Sequence, residues 1–85
     1  MDFGDALRAL KGRQKVAREG WNGKNMHLFY VDWCEIHAKK DEATVTVIGS
    51  LEIQPFIAML TAQGKYVPWL ASQTDVLAED WSIVR

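Results

Sequence analysis

A chain of 85 residues with a formal net charge of −1 has room for one compact domain and excludes a second. Hydrophobic residues make up 48% and charged residues 25%, a balance too apolar for disorder and too punctuated for a membrane span. Without a basic excess there is no field to attract a nucleic-acid polymer. A lone Cys34 with only His27 and His37 supports neither an internal disulfide nor a structural zinc site. The first residues carry no apolar signal segment, so the expected compartment is the cytoplasm.

Residues 3–11 place Phe3, Ala6, Leu7 and Leu10 at helical spacing, with Asp2 as a cap and Gly12 as a stop, and predict a short amphipathic helix. Residues 14–18 read as extended. A turn over 20–25 follows, with two glycines and two asparagines that tolerate positive φ. Residues 26–32 alternate between two apolar sets, Met26, Leu28 and Tyr30 against His27, Phe29, Val31 and the following Trp33, which predicts a strand covered on both faces. The charged run 39–42 reads as a solvated hairpin tip, and β-branched residues over 43–48 predict a strand closed by Gly49 and Ser50. Residues 51–60 are extended again, with Pro55 marking an edge position or a bulge. A tight turn at 61–65 makes 57–60 and 66–69 a hairpin. Ser72 to Asp75 before Val76, Leu77 and Ala78 is the pattern of a capped helical turn, and 80–84 returns to a strand.

The expected fold is therefore α+β: a short N-terminal helix packed on a twisted antiparallel sheet, in a single domain spanning residues 1–85. One helix covers one face of a sheet, whereas several of these strands are apolar on both. A second protomer is the expected cover for the remaining face, which predicts a homo-oligomer.

The catalytic inventory is empty. Cys34 and His37 point to opposite faces of a strand. His27 reads as a satisfied, semi-buried histidine. Glu79 and Asp80 are neighbours rather than carboxylates facing across a cleft. The turn from Gly20 to Gly23 lacks the spacing and the Lys-Ser/Thr pair of a phosphate loop. A non-enzymatic protein without metal or cofactor is the expectation.

Binding groups are better represented. Four tryptophans in 85 residues are more than a small core readily hides, and Trp favours sites with one edge buried and another available to a partner. Trp21 and Trp69 flank turns and are suited to stack on a flat ring, an interaction worth about 1–3 kcal/mol per base. Polar groups follow each: Asn22 and Lys24 after the first, Ser72, Gln73, Thr74 and Asp75 after the second. Arg18 adds positive charge. Asp75 opposes an anion at that helix start but suits a sugar hydroxyl. On residue type alone, core filling by the indoles and plain capping by Ser72 to Asp75 are the structural alternatives.

Two stretches carry a family resemblance. They are Phe3-Gly4-Asp5-Ala6-Leu7 leading to Val16-Ala17-Arg18-Glu19-Gly20-Trp21-Asn22-Gly23-Lys24, and the run from Gly64 through Trp69, Asp75 and Trp81. Together they resemble the phage and prophage family of Thoeris anti-defence signal sponges, over roughly half the chain. The resemblance implies an α+β protomer in a homo-oligomer, commonly a tetramer built as a dimer of dimers. Pockets between protomers then hold a small nucleotide-derived signal of the cyclic ADP-ribose type without cleaving it. Trp21, Asn22, Trp69, Ser72, Gln73, Thr74 and Asp75 are the positions it assigns to the ligand. The chain departs from the pattern over 33–50, where many members carry a longer loop rich in Pro, Asn and Gly. The competing reading is an oligomeric scaffold or protein-interaction module with no nucleotide ligand; a hydrolase assembled from two chains is a third.

Overall fold

The computed structural model describes residues 1–21, 25–32 and 54–85. In chain order these form α1 (Phe3–Lys11), β1 (Lys15–Arg18), β2 (His27–Val31), β3 (Phe56–Leu60), β4 (Tyr66–Pro68), α2 (Gln73–Leu77) and β5 (Trp81–Val84). The expected hairpin tip at 39–42 and the strand at 43–48 lie outside the described residues, as do 51–53 of the extended run.

Helix α1 starts where the sequence places it. The Asp2 carboxylate accepts the Asp5 N–H at 2.8 Å, satisfying one of the free donors of the first turn. Its end differs in detail. Gly12 has φ −86°, and the left-handed residue is the next one, Arg13, at φ 69°. The Arg13 N–H donates to the Leu10 carbonyl and the Gln14 N–H to the Ala9 carbonyl, the paired bonds of a Schellman stop. A non-glycine residue tolerates this conformation at a cost of about 1–2 kcal/mol. Its side chain reaches the end of β2, where the guanidinium pairs with Asp32 and lies 5.3 Å from the Tyr30 ring centroid.

The five strands form one antiparallel sheet in the order β4-β3-β2-β1-β5. Chain termini meet in it, because β1 and β5 pair along their whole length from Lys15↔Val84 to Arg18↔Trp81. The β3–β4 hairpin has the register Ala58↔Pro68, Met59↔Val67 and Leu60↔Tyr66, and Gly64 supplies the positive φ of 79° its turn requires. Pro55 is a correction: β3 is an interior strand between β2 and β4 and begins one residue after the proline, whose missing N–H therefore costs no ladder bond. Pro68, in contrast, sits on the edge strand β4.

Strand registers sort the side chains into two faces. Val16, Leu28, Met59 and Ile83 share the face that α1 covers, and with Ala6, Ala9, Leu10 and Trp81 they make the core. Full burial of Leu10, Val16, Leu28 and Trp81 supplies the main stabilisation, about 1.5–3 kcal/mol for each aliphatic side chain. Leu7, expected in the core, is only half-buried. Ala9 takes the inward position instead, since its small side chain lets the helix approach the sheet. On the second face, His27 and Ala58 are buried, Phe29 and Leu60 are half-buried, and Tyr66 is 60% exposed. Among the described residues no helix packs there, so the expected double cover of β2 holds for its Leu28 face.

Candidate functional site

The residues singled out in the sequence fall at one end of the α1-covered face. Arg18 ends β1, Trp21 follows it on a turn closed by its N–H to the Arg18 carbonyl at 3.2 Å, and Trp69 leaves β4 with its N–H on the Ile57 carbonyl at 2.9 Å. Ser72 caps α2, and Asp75 lies in the first helical turn. Asn22 lies outside the described residues.

Trp81 joins these parts. Its ring is 2% exposed and stands edge-on to the indoles of Trp21, 5.5 Å away at 79°, and Trp69, 6.0 Å away at 86°. Phe3 closes the cluster at 5.5 Å from Trp81 and 6.0 Å from Trp69. The edge-to-face arrangement places the positive rim of one ring on the negative face of another, worth about 0.5–1.5 kcal/mol per pair. Trp21 and Trp69 are therefore not free-standing platforms at two bends. Each is half-buried, with one side committed to the protomer's own aromatic cluster.

Arg18 is likewise committed. Its Nε and Nη2 donate to the two carboxylate oxygens of Asp80 at 2.9 and 3.5 Å, and Nη1 donates to Asp75 Oδ1 at 2.9 Å. Hydrogen bonds donated to Asp80 and then Asp75 raise the guanidinium's pKa, so it is charged at every accessible pH. Asp80 is held below the ordinary carboxylate range, first by its Arg18 hydrogen bonds. At Asp75 partial burial pulls upward, but hydrogen bonds from Arg18 and Ser72 outweigh it and the net shift is also downward. Two carboxylates that are both stabilised as anions do not divide into an acid and a base. The cluster is an ion-pair clamp in which Arg18 is already paired with two carboxylates, which disfavours a phosphate at Arg18 itself.

Asp75 is engaged at each oxygen: Oδ1 meets Arg18, Oδ2 accepts the Ser72 hydroxyl at 2.9 Å, and the backbone carbonyl accepts the Trp81 indole N–H at 3.0 Å. The Asp75 N–H is taken by Ser72 Oγ at 3.1 Å, so Ser72 acts as a cap. Gln73 and Thr74 are exposed on the outer side of that turn. Beside them Leu70 is 92% and Leu77 76% exposed, an unusual display for leucine.

A separate concavity of about 800 Å³ lies mainly on the second sheet face, lined by residues that include Lys15, His27, Phe29, Tyr66 and Arg85. None of the described residues selected for ligand binding in the sequence lines it. His27 is satisfied as expected: it is 7% exposed, and its Nδ1 is 2.6 Å from the Asn25 carbonyl, which fixes the proton on that nitrogen. Among the described residues no cluster of three or more His, Cys, Asp or Glu could hold a metal ion.

Comparison with known proteins resolves the family. The model of the Thoeris anti-defense 2-like domain matches residues 1–84. This chain belongs to that family. It is also 43% identical to Thoeris anti-defense 2 of Bacillus phage SP01 over 84 residues, covering 99% of this chain and 94% of the relative. Membership in the Thoeris anti-defense 2-like family supports an anti-defence role, and the match extends the terminal resemblance to nearly the whole chain. No described helix is long and apolar enough to cross a membrane. Asp80, Trp81 and Phe3 are the site components that sequence reasoning passed over. The signal for them was their place in the family-like stretches, Phe3 at the start of the first and Asp80 and Trp81 at the end of the second.

Proposed function

We propose that this chain is a non-catalytic sponge that binds a small nucleotide-derived immune signal of the cyclic ADP-ribose type in the host cytoplasm and so keeps the defence effector silent. One observation carries the reading beyond family membership. Trp21 and Trp69, each half-buried against Trp81, lie in the same protomer region as the exposed first turn of α2. A base stacked on the uncommitted side of an indole gains about 1–3 kcal/mol. Gln73 and Thr74, with Asn22, offer amide and hydroxyl groups to ribose and phosphate. Ser72 and Asp75 shape the turn, and Arg18 holds it.

A single protomer presents Gln73 and Thr74 on an open surface. The exposed Leu70 and Leu77 beside them favour a second copy packing there, which would close the pocket and form the homo-oligomer. The test is calorimetric titration with cyclic ADP-ribose isomers, followed by heat denaturation and chromatography of the released compound. Tight binding with return of the unaltered compound supports sequestration. A chemically altered product points to a hydrolase instead. The exposed leucines also support the scaffold reading. An intact oligomer that gives no heat with any isomer establishes that reading and removes this one.

A further inference from the structure

We infer that Arg18 is a positioning residue: its guanidinium, by clamping Asp75 of α2 and Asp80 before β5, sets the Trp81 indole against which Trp21 and Trp69 are held. The inference rests on the sponge reading for its ligand, but the clamp has its own readout. Residues 18, 75 and 80 come from three segments, so one guanidinium fastens the end of β1, the first turn of α2 and the approach to β5. Asp75 is the relay. Its side chain is gripped by Arg18 and Ser72, while its backbone carbonyl, 3.0 Å from Trp81 Nε1, fixes the rotation of the indole about its own side-chain bonds. Trp81 passes that orientation to Trp21, Trp69 and Phe3 through three ring contacts. The five-residue α2 carries no buried residue, so the clamp and the Ser72 cap supply much of what holds it in register.

Arg18→Lys separates positioning from charge. Lysine keeps the positive charge but presents one compact ammonium, which cannot grip both oxygens of Asp80 in plane and also reach Asp75. In the full oligomer, Arg18→Lys is expected to raise the Kd for cyclic ADP-ribose about tenfold, the scale of coupling between contacting residues. The Trp81 indole N–H, followed by NMR in deuterated water, is expected to exchange at least about tenfold faster once its acceptor loosens. Asp75→Asn, which preserves shape and the Ser72 contact, is expected to do the same and serves if the lysine variant does not fold. Lost affinity with an unchanged Trp81 exchange rate would overturn the inference in favour of direct ligand contact by Arg18. Faster exchange with wild-type affinity would overturn it from the other side. A wild-type protein that binds no isomer removes the sponge reading, and the clamp then stands or falls on the Trp81 exchange rate alone.

Discussion

Replacing Leu10 by alanine probes which side of α1 faces the sheet. Leu10 is 0% exposed and packs in a cluster with Val16, Leu28 and Trp81. Truncation removes three buried carbons, about 0.8 kcal/mol each in transfer alone, and leaves a cavity that β1, β2 and the rigid Trp81 ring close only in part. The expected loss is about 3 kcal/mol, within the usual 2–5 kcal/mol for such sites. A domain of this size has roughly 4–13 kcal/mol in total, so the variant remains folded at low temperature, with Tm lowered by about 12–24 °C. Leu7→Ala, at a half-buried position open to water, is expected to cost only about 1 kcal/mol. Urea unfolding at one fixed protein concentration measures both, since any assembly of copies would make apparent stability concentration-dependent. Equal losses for the two variants, or a larger one for Leu7→Ala, would refute the assignment of the buried helix face.

Three further outcomes follow from the clamp and the turns. Asp75 and Asp80 both have depressed folded pKa values, so their contribution is complete above the unfolded carboxylate value near ~3.9 and is lost as pH falls toward the folded values. The stability gap between wild type and Asp80→Asn should thus stay flat from about pH 8 to 5 and shrink below about pH 4 in denaturant titrations; a gap that changes near neutrality would contradict the ion-pair account. Ser72→Ala removes the hydroxyl that accepts the Asp75 N–H and should speed amide exchange in α2, at a cost of about 0.5–2 kcal/mol. Gly64→Ala should cost about 1–2 kcal/mol in thermal unfolding because of its φ of 79°, although nothing lies within 4 Å of the added methyl; Gly20→Ala, equally uncrowded and without a positive φ, should be near neutral.

Local features of the fold were legible because each has a local physical cause. Asp2 caps α1, Gly64 turns the β3–β4 hairpin, Asn25 takes a φ of 64°, and the alternation of His27 to Val31 marks the central strand. Contacts between distant segments left no such pattern. Arg18 meets Asp75 and Asp80 across 57 and 62 residues, a meeting created by the β1–β5 pairing that no spacing rule encodes. The same pairing explains why Trp21 and Trp69 read as free platforms. Period-two alternation in β5 shows that Trp81 and Ile83 share a face, but not that α1 covers that face, nor that Trp81 becomes the hub for Trp21 and Trp69. Leu7 reads as core for a related reason. A helical stripe of apolar residues is wider than the line of closest approach, which here runs through Ala6, Ala9 and Leu10.

Trp69 is where the structural and the binding roles of the aromatic cluster can be separated. Its indole touches both Trp81 and Phe3 at 6.0 Å, so Trp69→Ala removes two ring pairs and should lower stability by about 1–3 kcal/mol regardless of any ligand. That loss does not by itself change Kd, since the titration reads only molecules that are folded at the protein concentration and temperature used. A lost stacking platform does change it: about 1–3 kcal/mol of base stacking corresponds to a Kd raised roughly five- to 150-fold. Trp69→Phe separates the two contributions, because phenylalanine restores part of the ring packing on Trp81 while offering a ligand a smaller face. If the indole stacks on the ligand, the phenylalanine variant recovers most of the stability but retains a clear deficit in affinity by calorimetry. If affinity and stability instead return in step, Trp69 acts only through the cluster, and the ligand is held by Trp21 and the outer turn of α2.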